Sequence, residues 1–390
     1  MLPVTHHSQQ SFSNDDFSSH LEKGSNYPHE YEPESRKLNT DDEHFDEIKK
    51  PWYQTYERKI LIGIIVFICV LLIIILGSVL GHRTHERNRH PSYKQENYTM
   101  LKSYEGESFF DNFDFFSEAD PTKGFVQYKT REASEQMGLI HANSTNVIMT
   151  ADNKEKAPNG RPSVRISTKE YFKNVLIILD VLHAPTGCGT WPAFWTVGDD
   201  WPKNGEIDIM ENVNLARKGQ VTLHTDDGCD MTGVKQVMTG NTLQSNCYVN
   251  APGANNAGCG VKAAEDGSFG APFNAQQGGV YALDWRSEGI RAWFFNRTNI
   301  PTDITNKQPQ PANWETPLAD FPNTKCNIDK RFGNQKIVFD LTFCGDWAGA
   351  SSSLTNAGCP SSCTDFVANN PQNLTEAYWD IRSLNVFKSQ

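Results

Sequence analysis

The chain has 390 residues, a hydrophobic fraction of 38% and a formal net charge of -11 at pH 7. This apolar content is enough for a globular core in one large domain or two small ones. The acidic balance, without a basic run interleaved with aromatic residues outside the flanks of one apolar segment, excludes nucleic acid as a partner.

The N-terminal segment, residues 1–58, is rich in Ser, His, Asp and Glu and shows no sustained apolar period of 2 or 3.6 residues. Such a composition buries too little apolar surface to offset the entropy of ordering the chain. We therefore expect a disordered tail.

An uninterrupted apolar run without a charge follows from Ile60 to Leu80. At about 1.5 Å per residue it gives roughly 30 Å of helix, which is the thickness of a bilayer's hydrocarbon core. The run lies too far from the N-terminus for a cleaved signal peptide. We predict a transmembrane helix over 59–81, with membrane lipid as its partner.

Basic residues flank this run on both sides, so charge alone does not orient the helix. Two other features do, because both N-glycosylation acceptors and cysteines (Cys69 in the apolar run excepted) occur only after it. The acceptors are Asn97, Asn143, Asn296 and Asn373, and the cysteines are Cys188, Cys229, Cys247, Cys259, Cys326, Cys344, Cys359 and Cys363. The pattern predicts a single-pass type II protein with a cytosolic tail. The rest would lie outside the cell or in the lumen of the secretory pathway, with disulfide bonds.

Residues 82–104 are polar and basic and are expected to form a juxtamembrane stalk. From about residue 105 to 390, short apolar runs alternate with Gly, Pro, Asn and Asp clusters at the spacing of strands and turns. No internal repeat and no long helical period interrupts this pattern. We predict one all-β domain, a sandwich or jelly roll, and a monomer.

Three carboxylates occur within six residues in the segment Asn204–Asn212, at Glu206, Asp208 and Glu211. On a regular strand Glu206 and Asp208 point to one face, and Glu211 has the wrong parity. A β-bulge around Met210 would bring Glu211 to the same face. We expect that bulge.

Paired carboxylates suit retaining glycoside hydrolysis, in which one attacks the anomeric carbon and the other protonates the leaving oxygen. Crowding by like charges would raise the pKa of the acid. The alternative is a solvated acidic strand, which would normally carry interleaved Lys or Arg, but the nearest basic residues here are Lys203 and Arg217. Unpartnered crowded acids favour a catalytic site.

The chain from about Ser108 onward resembles the fungal, laminarinase-like endo-1,3(4)-β-glucanases of glycoside hydrolase family 16. The matching segments are Gly187–Trp195, Trp201–Asn212, Leu223–Thr225, Gly228–Cys229, Trp293–Phe295, Phe343–Gly349 and Ala377–Ile381. The resemblance implies a concanavalin A-like β-jelly roll with β-glucan across its concave sheet. It also implies that Glu206 is the nucleophile, Asp208 the assisting acid and Glu211 the acid/base.

Sugar rings stack on aromatic side chains, so Trp195, Trp201 and Trp347 are the candidate subsite residues. Trp191, Trp285, Trp293 and Trp379 are expected in the core. His224 is a candidate for hydrogen bonds to the carboxylates or to sugar. Asn204 is a weaker sugar-binding candidate, since Asn-Gly is also a common turn sequence.

Three functions remain open: endo-hydrolysis of β-1,3 or mixed β-1,3/1,4-glucan, transglycosylation through the same intermediate, and non-catalytic assembly of wall glucan. An anchored enzyme suits trimming of the organism's own cell wall. No cofactor is expected, because the cysteines form no Cys-X2-Cys pair for zinc. No oxygen-rich loop is distinctive enough to assign a structural calcium ion.

Overall fold

The structure is a computed structural model that describes residues 52–87 and 89–390. The predicted disordered tail therefore lies, up to residue 51, outside the described residues. Helix α1, Trp52–Arg87, contains the apolar run. Thr55–His85 is long and apolar enough to cross a membrane. The helix is longer than the predicted 59–81, because polar residues can continue helical hydrogen bonding beyond an apolar segment.

Eighteen strands follow within residues 89–390. They are β1 Tyr98–Tyr104, β2 Phe113–Phe115, β3 Val126–Tyr128, β4 Ile140–Ala142, β5 Val147–Thr150, β6 Arg161–Ser163, β7 Arg165–Thr168, β8 Leu176–His183, β9 Thr190–Gly198, β10 Glu206–Glu211, β11 Gln220–His224, β12 Asn241–Thr242, β13 Cys259–Lys262, β14 Gly279–Arg286, β15 Gly289–Asn296, β16 Ala319–Pro322, β17 Gln335–Phe343 and β18 Tyr378–Ser389.

Short helices occupy several connections between these strands. They are α2 Arg131–Met137, α3 Gly270–Ala275, α4 Thr302–Thr305, α5 Ile328–Arg331, α6 Gly345–Ala348, α7 Ser351–Ala357 and α8 Cys363–Asn369. Single 3₁₀ turns lie at Phe109–Asn112, Pro311–Asn313, Asn323–Lys325 and Pro371–Leu374.

The strands form two eight-stranded antiparallel sheets and one small parallel pair, β3–β6. The first sheet has the order β16-β15-β14-β8-β18-β5-β4, and β1 also pairs with β18. The second has the order β12-β13-β11-β10-β9-β17-β7-β2. Apolar side chains from both sheets form one continuous core. The predicted all-β sandwich is confirmed.

The segment predicted as a stalk differs from the expectation, because it packs on the domain from His90 onward. His90 Nε2 lies 2.7 Å from Asp320 Oδ2, and the Tyr93 hydroxyl donates to Asp320 Oδ1 at 3.0 Å. The Arg291 guanidinium lies 3.8 Å from the centre of the Tyr93 ring. Residues 98–104 then form β1 against the long strand β18. From His90 onward the segment predicted as a stalk therefore contacts the domain, because its tyrosines supply ring contacts and hydrogen bonds that composition alone does not reveal.

All eight cysteines after the helix are paired, as the sequence predicts. The disulfide bonds join Cys188 to Cys359, Cys229 to Cys326, Cys247 to Cys259 and Cys344 to Cys363. Of the four predicted glycosylation sites, Asn97 and Asn373 are exposed, and Asn143 and Asn296 are half-buried. Their glycosylation stays a prediction.

Candidate active site

The acidic segment forms the central strand β10, between β9 and β11, and it carries the predicted bulge. Asp208 faces Trp195 of β9, and Met210 faces the next residue, Phe194, so β10 gains one residue. The register against β11 shifts between Asp208 and Glu211 as well. Ile209 and Met210 both enter the core with no exposed area. Glu206, Asp208 and Glu211 consequently line one cavity of about 360 Å³.

Two of these carboxylates are almost out of solvent. Asp208 is 2% exposed and Glu211 is 9% exposed. Among the described residues no Lys or Arg forms an ion pair with either group; the basic neighbour is His224, whose Nε2 lies 3.1 Å from Asp208 Oδ2. A buried carboxylate without a compensating cation favours its protonated form.

Burial raises the pKa of Asp208 well above its ordinary value. The nearby charge of Glu206, a hydrogen bond between the two carboxyl groups and the charge of Asp340 act in the same direction. Asp208 is thereby suited to carry a proton at neutral pH and to share it with Glu206.

Burial also raises the pKa of Glu211, and the charge of Asp208 adds to that effect. The Trp191 indole opposes it by donating a hydrogen bond from Nε1 to Glu211 Oε1 at 2.7 Å. A carboxyl group with a raised pKa in a fixed position suits a general acid.

Aromatic residues of β9 form much of the cavity floor. Trp191, Ala193, Trp195 and Val197 alternate toward the cavity, and the residues between them are buried. Trp201 also lines the cavity and is 43% exposed. The prediction that Trp191 lies in the core is therefore wrong, because it has the same strand parity as Trp195. Trp285, Trp293 and Trp379 are buried, as expected.

Three further predicted residues lie at the edge of the site or outside it. His224 faces Glu206 across the β10–β11 ladder and contacts Asp208, although it does not line the cavity. Trp347 packs edge-on against Trp191, with ring centres 5.6 Å apart, and lines a neighbouring groove. Asn204 is not brought into the cavity: its amide donates to the Asp199 carbonyl at 2.6 Å, which stabilises the turn before β10.

The sequence reasoning missed Arg165 and Asp340, which line the cavity from β7 and β17. Their side chains lie 4.0 Å apart, and the Arg165 guanidinium lies 5.0 Å from the centre of the Trp195 ring. Burial raises the pKa of Asp340 to about 7, although the charge of Arg165 opposes this. A single charged residue within the apolar strand 337–343 was the signal that could have identified Asp340.

In the described part of the chain, one group of His, Cys, Asp and Glu side chains is compact enough to hold a metal ion. It consists of Glu206, Asp208 and His224, whose potential ligand atoms lie within 4.8 Å of one another. These atoms belong to the carboxylate cluster itself. A hydrogen-bonded acid pair beside an imidazole accounts for their proximity.

Comparison with known proteins agrees with this geometry. Residues 113–387 match the family model described as the XgeA-like catalytic domain of family GH16. The chain belongs to glycoside hydrolase family 16.

The family 16 chain is similar to several fungal proteins. A Schizosaccharomyces pombe protein named as a probable glycosidase is 61% identical over 307 residues, covering 79% of this chain and 73% of the relative. The endo-1,3(4)-β-glucanase XgeA of Emericella nidulans is 39% identical over 310 residues, covering 76% of this chain. The match covers 48% of XgeA, so this chain spans about half the length of that relative.

Two solved family 16 structures are also similar. Laminarinase 16A from Phanerochaete chrysosporium, with β-glucans in its donor and acceptor sites, is 41% identical with a TM-score of 0.72. An elongating β-1,3-glucosyltransferase is 41% identical with a TM-score of 0.69. Each match covers 75% of this chain and 100% of the other.

Proposed function

We propose that this protein is an endo-acting, retaining hydrolase of β-1,3-glucan or mixed β-1,3/1,4-glucan. The observation that carries the proposal is the bulge in β10, which turns three crowded carboxylates toward one cavity with an aromatic floor. The β-glucanase and laminarinase names of similar proteins support the same substrate class.

In the first step, a Glu206 oxygen attacks the anomeric carbon, and the bond from that carbon to the leaving glycosidic oxygen breaks. Glu211 gives its proton to that oxygen, so the leaving sugar departs as a neutral alcohol. The product is a glycosyl ester on Glu206. The raised pKa of Glu211 supports this role, since it keeps the proton available near neutral pH.

In the second step, Glu211 is a carboxylate and takes a proton from water as the water attacks the anomeric carbon. The ester bond to Glu206 breaks, and the sugar leaves with its original anomeric configuration. Glu211 is protonated again at the end of the cycle.

Asp208 assists by donating a hydrogen bond to Glu206, which orients the nucleophile and stabilises its charge when the ester breaks. His224 contacts Asp208 and fixes its position. Trp195 and Trp201 present apolar ring surface to the cavity, where pyranose rings stack. Trp191 contributes similarly and also positions Glu211.

Transglycosylation is the second candidate, and the similarity to an elongating β-1,3-glucosyltransferase favours considering it. The same ester on Glu206 would then be attacked by a sugar hydroxyl instead of water. A defined β-1,3-oligosaccharide distinguishes the two reactions. Products longer than the substrate indicate transfer, and only shorter products indicate hydrolysis.

We also propose that α1 anchors the protein as a single-pass type II membrane protein, with the catalytic domain outside the cell or in the lumen. The hydropathy of the helix and the four disulfide bonds support this placement. Protease treatment of sealed vesicles tests it: a C-terminal tag should be protected, and a tag digested from the cytosolic side would exclude it.

Digestion of laminarin, lichenan and a β-1,6-glucan, followed by product analysis, tests the substrate class. We expect internal cleavage of laminarin, of lichenan or of both, and no cleavage of the β-1,6-glucan. Inactivity on laminarin and lichenan would contradict the proposed function.

A further inference from the structure

A second groove, of about 650 Å³, lies at the end of β15 and the loop that follows it. It shares no residue with the cavity that contains Glu206. Its lining combines aromatic rings with many side-chain amides, namely Asn296, Asn299, Asn306, Gln308, Gln310 and Asn313. Its volume is within the usual range for ligand-binding pockets.

Trp314 supplies a rigid aromatic wall to this groove. Its Nε1 donates to Asp303 Oδ2 at 2.8 Å, and the same oxygen accepts from the Gln310 backbone amide at 2.6 Å. The ring stands edge-on against Trp293 and Phe295, with ring centres 5.1 and 5.4 Å away. It is half-buried and so retains exposed surface toward the groove.

Several side-chain amides of the groove have donors and acceptors that are free to bind a ligand. The side chains of Asn299 and Gln308 make no hydrogen bond within the part of the chain that the structure describes, and both are exposed. An aromatic face beside free amide donors and acceptors is the combination that recognises a sugar ring and its hydroxyl or acetamido groups.

The groove also contains a predicted attachment point for sugar, because Asn296 lines it and begins the acceptor sequence Asn296-Arg297-Thr298. The Thr298 hydroxyl donates to Asn296 Oδ1 at 3.0 Å. Asn296 Nδ2, the atom that a glycan would modify, makes no hydrogen bond in the described residues. Arg297 fixes the adjacent backbone by donating to the carbonyls of Gln277 and Val181, each at 2.9 Å.

We propose that an N-linked glycan on Asn296 folds back into this groove, with its proximal N-acetylglucosamine units against Trp314 and the free amides. Stacking on one indole is weak for a dissolved sugar. A sugar tethered at the rim has an effective concentration in the millimolar range, so the attached glycan would occupy the groove ahead of free glucan. This proposal goes beyond the proposed function. It depends only on the proposed placement of the catalytic domain outside the cell or in the lumen, and not on the proposed reaction.

Native deglycosylation of the full-length chain in detergent tests the proposal. Mass spectrometry of glycopeptides first establishes occupancy at Asn296 and at Asn373, an exposed acceptor that does not line the groove. An endoglycosidase that cuts between the two proximal N-acetylglucosamines should then release the Asn296 glycan about tenfold more slowly than the Asn373 glycan. After denaturation the two rates should be equal.

The double variant Asn299→Ala/Gln308→Ala should remove most of this protection, because it deletes polar partners without disturbing the packing of Trp314. Gln372→Ala, beside the control acceptor, should leave both rates unchanged. An unmodified Asn296, or equal native rates at the two sites, would overturn the proposal.

Free glucan is distinguished by a second arm, in which binding of the Glu206→Gln variant, with its Asn296 glycan intact, to insoluble β-1,3-glucan is measured. Adding Asn299→Ala/Gln308→Ala should not change that binding. A loss of binding would assign the groove to free glucan and contradict the tethered glycan. Laminarin hydrolysis by the protein without these substitutions is scored separately, so failure of the proposed function is recognised independently.

Discussion

The buried acids Asp284 and Asp320 have cationic or hydrogen-bonding partners, whereas the buried acids of β10 have a raised pKa that favours their protonated form. Asp284 and Asp320 have no exposed area. Asp284 accepts from Arg286 at 2.9 Å, Arg291 at 2.7 Å and Tyr98 at 2.6 Å. We call Asp284, Asp320, Arg286, Arg291 and Tyr98 the paired cluster.

The unpaired cluster consists of Glu206, Asp208 and Glu211, with His224 as its basic neighbour among the described residues. Burial raises the pKa of Asp208 and Glu211, and within residues 52–87 and 89–390 no guanidinium or ammonium forms an ion pair with either carboxylate. Removing a partner from a buried ion pair destabilises a protein strongly, whereas an unpaired cluster already carries that cost in the native fold. The difference indicates that the paired cluster serves stability and the unpaired one chemistry.

The largest effect is expected at Glu206 and Glu211. Glu206→Gln or Glu211→Gln should lower kcat on laminarin by at least about a thousandfold, because the nucleophile or the proton donor is lost. The thermal unfolding temperature should stay the same or rise, since each change removes a crowded carboxylate. Normal turnover by either variant would contradict the assignment.

Arg291→Met should lower stability and leave kcat unchanged, the reverse of the result expected at Glu206 and Glu211. The reason is that Asp284, which is fully buried, would have one cation fewer. We expect the free energy of unfolding to fall by about 3–5 kcal/mol, measured by denaturant titration. The kcat per folded molecule should not change. Lys388→Met, at an exposed position, is the control and should leave stability within about 0.5 kcal/mol. Equal stabilities for the two variants would show that the paired cluster is not structural.

A smaller effect is expected at Asp340, whose pKa is raised from 3.8 to about 7. Because the folded state holds this proton more tightly, its contribution to stability is present below pH 3.8 and is lost as the pH rises through about 7. Asp340→Asn should flatten the decline of unfolding free energy across that window. Asp227→Asn, at an exposed carboxylate, should leave the curve unchanged. An unaltered slope in Asp340→Asn would contradict this account.

The smallest effect, a change in the pH dependence of kcat/KM, is expected from substitution of Trp191. Trp191→Phe removes the hydrogen bond that lowers the pKa of Glu211, so the basic limb of the kcat/KM profile should move to higher pH. Trp347→Phe keeps that bond and should not move the limb. A general loss of activity without a shift would assign Trp191 to packing alone.

Local pattern explains what the sequence predicts well. The strands alternate apolar and polar residues, and the parity of Glu206, Asp208 and Glu211 requires the bulge that β10 contains. The position of Trp191 was also available from parity, since Phe194 faces the core and Trp195 does not. It was missed because a buried Trp is the commoner case.

Contacts between distant segments explain what the sequence does not reveal. Arg165 and Asp340 meet only because β7 and β17 pair in one particular register. Likewise, His90 and Tyr93 contact Asp320, which lies more than two hundred residues away in the sequence. The composition of residues 82–104 predicts a stalk because nothing nearby in the sequence identifies Asp320 as their contact.

Two disulfide bonds join the ends of two cavity-forming strands, β9 and β17, to one segment of the chain. Cys188 precedes β9, and Cys344 directly follows β17. Their partners lie close together in the chain, because Cys359 is in the α7–α8 connection and Cys363 begins α8. The strand ends that carry Trp191 and Asp340 are thereby tied to one segment. A newly made chain lacks this tie until it reaches an oxidising compartment. Under the proposed lumenal or extracellular placement of the domain, the glucan-cleaving site would therefore mature only after the chain has left the cytosol.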